Sequence, residues 1–163
     1  DRFLAPVLKE KNMIYDGFDI MDLNLETDQI NREDNVYDLI ISYALIEHLH
    51  NPENFISEAL RVLKPGCAAI IQTPNWRYSF KGFYNDYTHV RPYTPRSLKS
   101  LLIHQGFQSV YSFPNLRCKS KFFYTNKFAF SIASKLPFRG GGSKLIPAFL
   151  KGRAIGMFVI AVK

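Results

Sequence analysis

The stretch Ile46–Pro52, IEHLHNP, places one carboxylate and two imidazoles within four residues: Glu47, His48 and His50. A Glu/His pair can move a proton as general base and acid, or it can give two ligands to a divalent ion. It can equally turn both side chains onto backbone groups left open where a strand gives way to a helix. All three readings stand at this point. His50 is read as solvent-facing. A further imidazole, His89, lies in DYTHVRPYTP with Asp86, Tyr87 and Arg91 around it, and is open between chemistry and loop structure.

The elements around these residues decide whether they can meet. VYDLIISY, 36–43, is a near-continuous apolar run of strand length. Such runs suit parallel strands buried on both faces. After it, Asn51 reads as a helix N-cap, Pro52 fits the first helical position, and Glu53 faces the positive end of the helix dipole. Phe55, Ile56, Ala59, Leu60 and Leu63 then make one apolar stripe, and LKPG ends the helix. AAIIQT is a second buried strand, stopped by Pro74. Residues 75–93 form a long polar and aromatic loop, a length that points to a lid or a binding loop. Within it Trp76, Tyr78, Phe80, Phe83 and Tyr84 either wall a pocket or pack as core. Thr94 and Pro95 start another helix, with Leu98, Leu101 and Leu102 on one face and Gly106 at its end. FQSVYSF follows as a strand.

Upstream, residues 2–11 read as a helix and MIYDGFDI as a short strand ending at Asp19, with 21–35 mostly loop. Strands therefore alternate with helices from 13 to 113, which argues an α/β fold with a largely parallel sheet. IGMFVIAV closes the chain as a strand. Because it follows an insert read as irregular, it is expected to run antiparallel at an edge.

In open α/β sheets, ligands bind beyond the carboxyl ends of the strands. That rule selects Asp19 and Asp22, then Ser42 to His48, then Thr73 to Trp76 and the 77–93 loop. Asp19 at a strand end suits two hydrogen bonds to a ribose diol, or caps its own loop. Asp22 carries the same ambiguity.

The 163 residues amount to one domain, with 47% apolar and 15% aromatic residues to build a core. All 14 acidic residues lie in 1–86, which carries a net −6; residues 87–163 carry 13 Lys and Arg, no acid, and a net +13. The basic half is either a solvated surface or a face for an acidic partner, such as a phosphate-bearing substrate or anionic lipid headgroups. No nucleic-acid-binding module signature is present, and none is expected as partner. No apolar run is long enough to span a bilayer, and DRFLAPVLKEKN lacks the apolar core of a signal peptide. Cys67 and Cys118 have no CxxC partner, so a reducing, cytoplasmic setting is the simplest reading. RGGGSK at 139–144 lacks the strand-before, helix-after context of a phosphate loop and reads as a linker. The missing initiator Met suggests a fragment.

YDLIISYALIEHLHNPENFISEALRVLKPGCAAIIQTPN resembles the central part of class I S-adenosylmethionine-dependent methyltransferases of the type 11/type 23 group. Shared are the buried strand opening on Tyr-Asp, the Glu-His pair, the proline-started helix, the R-V-L-K-P-G turn and the TPN that follows the next strand. THVRPYTPRSLKSLLIHQGF resembles the segment after it. The resemblance covers residues 2–113 and implies a doubly wound, Rossmann-like sheet whose first strand and glycine loop would precede Asp1. More weakly it reaches the final strand; with the length of the chain, the expectation is one partial methyltransferase domain over 1–163, with the 75–93 loop or lid and a basic aromatic insert at 117–153.

By position the resemblance makes Asp19 the ribose-binding acid, and Ser42, Tyr43 and Ala44 neighbours of the methionine and sulfonium part of the cofactor. Asp22 is a candidate to approach the adenine. Glu47 and His48 stand at the active-site mouth, with His48 or His89 as base and Glu47 as orienter. Arg61–Gly66 are structural. Cys67 replaces the second glycine of the family's KPGG. Some relatives with metal-dependent O-methylation carry E-x-x-E-H plus a distant His; here Ala44 fills the first position, one ligand short, and no metal is assigned. Without the glycine loop the stretch 1–163 alone is expected to bind the cofactor poorly and to be inactive. The implied activity is methyl transfer from S-adenosylmethionine to a small-molecule, glycan or lipid-linked acceptor, anionic if the basic half guides it. Rivals are a non-catalytic scaffold of the same fold and a nicotinamide dehydrogenase, whose sheet and ribose acid would look alike.

Overall fold

The structure, a computed structural model, describes residues 10, 14, 16, 17, 23–116, 121–136, 138, 139, 145, 147 and 150–163. The expected helix at 2–11, the strand ending at Asp19, and Asp22 lie largely or wholly outside these.

Strand β1 (Tyr37–Tyr43) leads through a 3-10 turn (Ile46–His48) into helix α1 (Pro52–Val62) and strand β2 (Leu63–Pro74). A one-turn helix α2 (Trp76–Ser79) and a second 3-10 turn (Phe83–Asn85) lie in the long loop. Helix α3 (Pro95–His104) and strand β3 (Ser109–Pro114) follow. Then come α4 (Lys121–Thr125), α5 (Lys127–Ser134), β4 (Phe138–Arg139), β5 (Lys151–Arg153) and β6 (Gly156–Val162).

Four strands make one sheet in the order β1-β2-β6-β3, and β4 pairs with β5 separately. β1 and β2 run parallel, as a crossover through α1 requires. β6 is antiparallel to both its neighbours. Its direction is as expected; its place is not, because it fills the slot between β2 and β3 instead of an edge. Met157, Val159 and Ala161 on one side of β6 are almost fully buried, which only a central strand achieves. The insert before it is not irregular either, since α4 and α5 occupy its first half.

Register puts Ile40, Ala69, Ile71, Val159, Ala161 and Val110 on one face of the sheet. Phe55 and Ile56 of α1 and Leu98 and Leu102 of α3 pack against that face in a single core. Leu98 and Leu102 stand one helical turn apart and are fully buried, each worth about 1.5–3 kcal/mol. The opposite face behaves differently: Leu39, Ile41 and Tyr43 of β1 and Tyr111 and Phe113 of β3 are exposed. β1 is thus buried on one face only, because among the described residues both long helices lie on the same side.

Helix starts show how local the signals are. Thr94 and Ser97 form a reciprocal capping box at α3. Asn51 precedes α1 but makes no side-chain cap bond; its backbone N–H and side chain go instead to Glu26, on the loop before β1. LKPG does more than end α1, since β2 begins at Leu63 and the turn at Gly66 (φ 78°) lies within it.

Arg61 fastens the far end of α1. Its five N–H donors reach Glu58 twice, Asp34, and the carbonyls of Ile30 and Arg32, at 2.7–2.9 Å. The Arg61 hydrogen bond, and that from the Ile30 N–H, hold the Glu58 carboxyl below the usual range. A hollow of about 550 Å³ lined by residues 29–33 and Arg61 opens here, at the amino ends of the strands. It lies away from the ligand edge, and its guanidinium is already committed to structure.

Candidate active site

β1 ends at Tyr43, and the chain reverses through Ala44, which takes a left-handed φ of 49°. The Ala44 N–H donates to Gln72 O on β2 at 3.0 Å, which fixes the reversal. A non-glycine residue in this region costs about 1 kcal/mol. Ile46 and Leu49 then anchor the 3-10 turn in the core, and Glu47 between them is drawn inside at 1% exposure.

A buried carboxylate needs a donor. Thr73, near the end of β2, supplies it: its Oγ1 donates to Glu47 Oε2 at 2.9 Å. The Glu47 carbonyl in turn accepts from the N–H groups of Val90 and Arg91 at 2.9 and 3.0 Å. A parallel bridge between Asn75 and Tyr93 closes the base of the 75–93 loop. Both ends of the loop are therefore pinned to the strand ends, and His89 is carried to Glu47.

The two imidazoles are oriented by the loop. His89 Nδ1 lies 2.7 Å from the carbonyl of Phe83, so this nitrogen carries a proton and, in the neutral ring, Nε2 is the acceptor. His48 Nδ1 faces Thr88 Oγ1 at 2.9 Å and Thr88 O at 3.2 Å. Thr88 Oγ1 donates to Asp86 Oδ1 at 2.6 Å, so it accepts from His48, which likewise keeps Nε2 as its acceptor. The hydroxyl and N–H of Thr88 hold the Asp86 carboxyl below its ordinary range, with His89 and His48 adding to the effect. The rings of His48 and His89 are 4.7 Å apart.

One ligand-type atom from each of Glu47, His48 and His89 lies within 4.8 Å of the others. A carboxylate and two imidazoles facing one point are all acceptors. Such a set suits a proton in transit or a divalent ion held by these three residues. The three residues named for catalysis are thus brought together. His50 points to solvent, and its backbone N–H donates to Glu26.

The aromatic residues of the loop divide. Phe83 is buried, with Trp76, Tyr84 and His89 packed around its ring at 5.4, 5.0 and 4.5 Å. Tyr78, Phe80 and Tyr84 stay exposed. Of the residues assigned to the cofactor, Ser42 is buried at the end of β1 with no partner for its hydroxyl among the described residues. Tyr43 and Ala44 are exposed beyond it. Asp19 and Asp22 lie outside the described residues. Gln72 also carries a buried Oε1 without a partner among the described residues. Thr73 and the loop that holds Asp86 and Thr88 were selected by the strand-end rule, but none of the three was given a role. The D-x-T spacing of Asp86 and Thr88, an Asx-turn pattern, is a signal that could have assigned those two.

Residues 2–112 match the methyltransferase domain family. The chain belongs to this family. A probable S-adenosylmethionine-dependent methyltransferase of Mycolicibacterium smegmatis is 34% identical over 74 residues, which is 44% of this chain and 28% of that protein. A SAM-dependent methyltransferase from Archaeoglobus fulgidus superposes with a TM-score of 0.55 at 20% identity, over 80% of this chain and 61% of that one. One from Mesorhizobium loti gives 0.57 at 14% identity, over 100% and 76%. At these identities the structures establish the fold, a Rossmann-like α/β sheet. The matched part spans under a third of the curated relative and under two thirds of the Archaeoglobus chain.

Proposed function

We propose that the methyltransferase domain transfers a methyl group from S-adenosylmethionine to a small-molecule, glycan or lipid-linked acceptor, with Glu47, His48 and His89 as its proton-handling cluster. The observation that carries this is the convergence of those three acceptors at the carboxyl ends of β1 and β2, in a chain of this family. Ser42 Oγ at the end of β1, without a partner among the described residues, supports a ligand that meets it there.

When bound, the cofactor supplies an electrophilic methyl on a sulfonium, which passes in line to the acceptor's oxygen or nitrogen. The chain's own residues position the acceptor and take its proton. The Nε2 of His48 or His89 accepts that proton. The positive charge formed on His48 is offset through Thr88 by Asp86, and on His89 by the nearby Glu47 and Asp86. Glu47, locked by Thr73, holds its orientation throughout.

Calorimetry with S-adenosylmethionine on the full-length protein tests the cofactor. Absence of binding would sink the reading in favour of a non-catalytic scaffold of the same fold. With an acceptor in hand, His48→Gln and His89→Gln are expected to lower kcat by about 100-fold or more while leaving cofactor affinity unchanged. A second reading, a divalent ion on the same three residues, predicts that a chelator removes activity and that Mn2+ or Zn2+ restores it.

A further inference from the structure

The carboxyl-terminal third carries chemistry that methyl transfer does not use. Residues 117–153 contain nine Lys and Arg, seven Phe and Tyr, and no acid. Helix α5 sorts them in an unusual way. Its inner side packs Phe130 and Ala133 against Leu116 and Ala154, with Phe123 of α4 alongside. Its outer side should be polar in water. It instead presents Phe128, 76% exposed, and Ile132, 49% exposed, one helical turn apart. Exposed Lys127 and Lys135 bracket this stripe, and neither makes an ion pair among the described residues. Phe122 and Phe138, just before and after the helix, are exposed as well.

We infer that α5 and its flanks form a docking surface for an anionic lipid bilayer, with Phe128 and Ile132 seated in the headgroup region and Lys127 and Lys135 against lipid phosphates. Large apolar residues outward with lysines beside them is the arrangement of a helix lying in the membrane interface. Eight residues rise about 12 Å, far short of the roughly 30 Å of a bilayer core, so the helix lies on the membrane and does not cross it. No described helix is long and apolar enough to span one. Charge selects the partner. A second copy of the same face would set one basic surface against another. A nucleic acid would be met by stacking rings, and Ile132 has none. Anionic lipid satisfies the apolar stripe and the lysines together.

The test is co-sedimentation of the full-length protein with vesicles of phosphatidylcholine alone, or with one third phosphatidylglycerol. The inference predicts at least about tenfold stronger partitioning to the anionic vesicles, weakened by salt. Phe128→Ser with Ile132→Ser should remove about tenfold of that affinity. Lys127→Gln and Lys135→Gln should each remove about fivefold. If the double apolar variant lowers the thermal midpoint, the lysine variants decide. Equal partitioning to both vesicles, or retention of full affinity in all these variants, overturns the inference. So does an RNA that displaces the vesicles, or a dimer that the apolar substitutions abolish. The readout is separate from S-adenosylmethionine binding, so either reading can fail alone.

Discussion

Thr73 donates to a carboxylate that is 1% exposed, and the geometry of Glu47 depends on that bond. Removing the hydroxyl leaves a buried acceptor with one partner fewer. Thr73→Val is expected to destabilise the fold by about 2 kcal/mol, read from urea unfolding, whereas Thr73→Ser stays near wild type. Tyr93 gives a pH signature at the same site. Burial is the main reason the pKa of its hydroxyl is pushed up to about 12, above the ordinary phenol value of about 10. A phenol whose pKa is raised on folding contributes its stability in full below the unfolded pKa and loses it as pH climbs through the folded one. The Tyr93 contribution should therefore be flat up to about pH 10 and fall by about 2 kcal/mol by pH 12, with Tyr93→Phe removing that fall. A wild-type profile flat to pH 12 would contradict this.

Helix and strand ends show which parts of the fold could be read from the chain. Among the described residues two glycines have positive φ, Gly66 at 78° and Gly106 at 111°, but their surroundings differ. A Cβ at Gly66 meets open space, and one at Gly106 comes within 3.0 Å of Leu60 Cδ2 on α1. Gly66→Ala should cost about 1 kcal/mol from conformation alone, and Gly106→Ala about 2 kcal/mol once α1 has to give way. Equal costs in thermal or urea unfolding would mean that Leu60 yields freely. The boundaries of α3 were legible because Thr94, Pro95, Ser97 and Gly106 are neighbours in sequence. The role of Asn51 was not, since its partner Glu26 is 25 residues away. The exposed face of β1 was hidden for a similar reason: composition reports that a strand is apolar, and only neighbours decide which side is covered.

The candidate site depends on the whole sheet. Glu47, His48 and His89 could be nominated because the strand-end rule needs only the order of elements, and both segments follow strands that run parallel. Their actual meeting rests on Thr73 and Thr88, polar residues of common type whose spacing to the histidines is set in space. The place of β6 was hidden in the same way, because local pattern fixes its length and direction but not its neighbours. That placement reaches into how the protein is made. Ala68 of β2 pairs with Val162, and Ser109 of β3 pairs with the same residue. As the chain leaves the ribosome, β1, α1 and β2 can associate early, whereas β3 has no neighbour in the sheet until the last residues of β6 emerge. Joining β2 to partners 82–94 residues away in β6 makes closure slow and leaves apolar strand edges uncovered in the meantime. A chain cut before Gly156 should accordingly remain protease-sensitive and chaperone-bound, and one that includes β6 should be resistant.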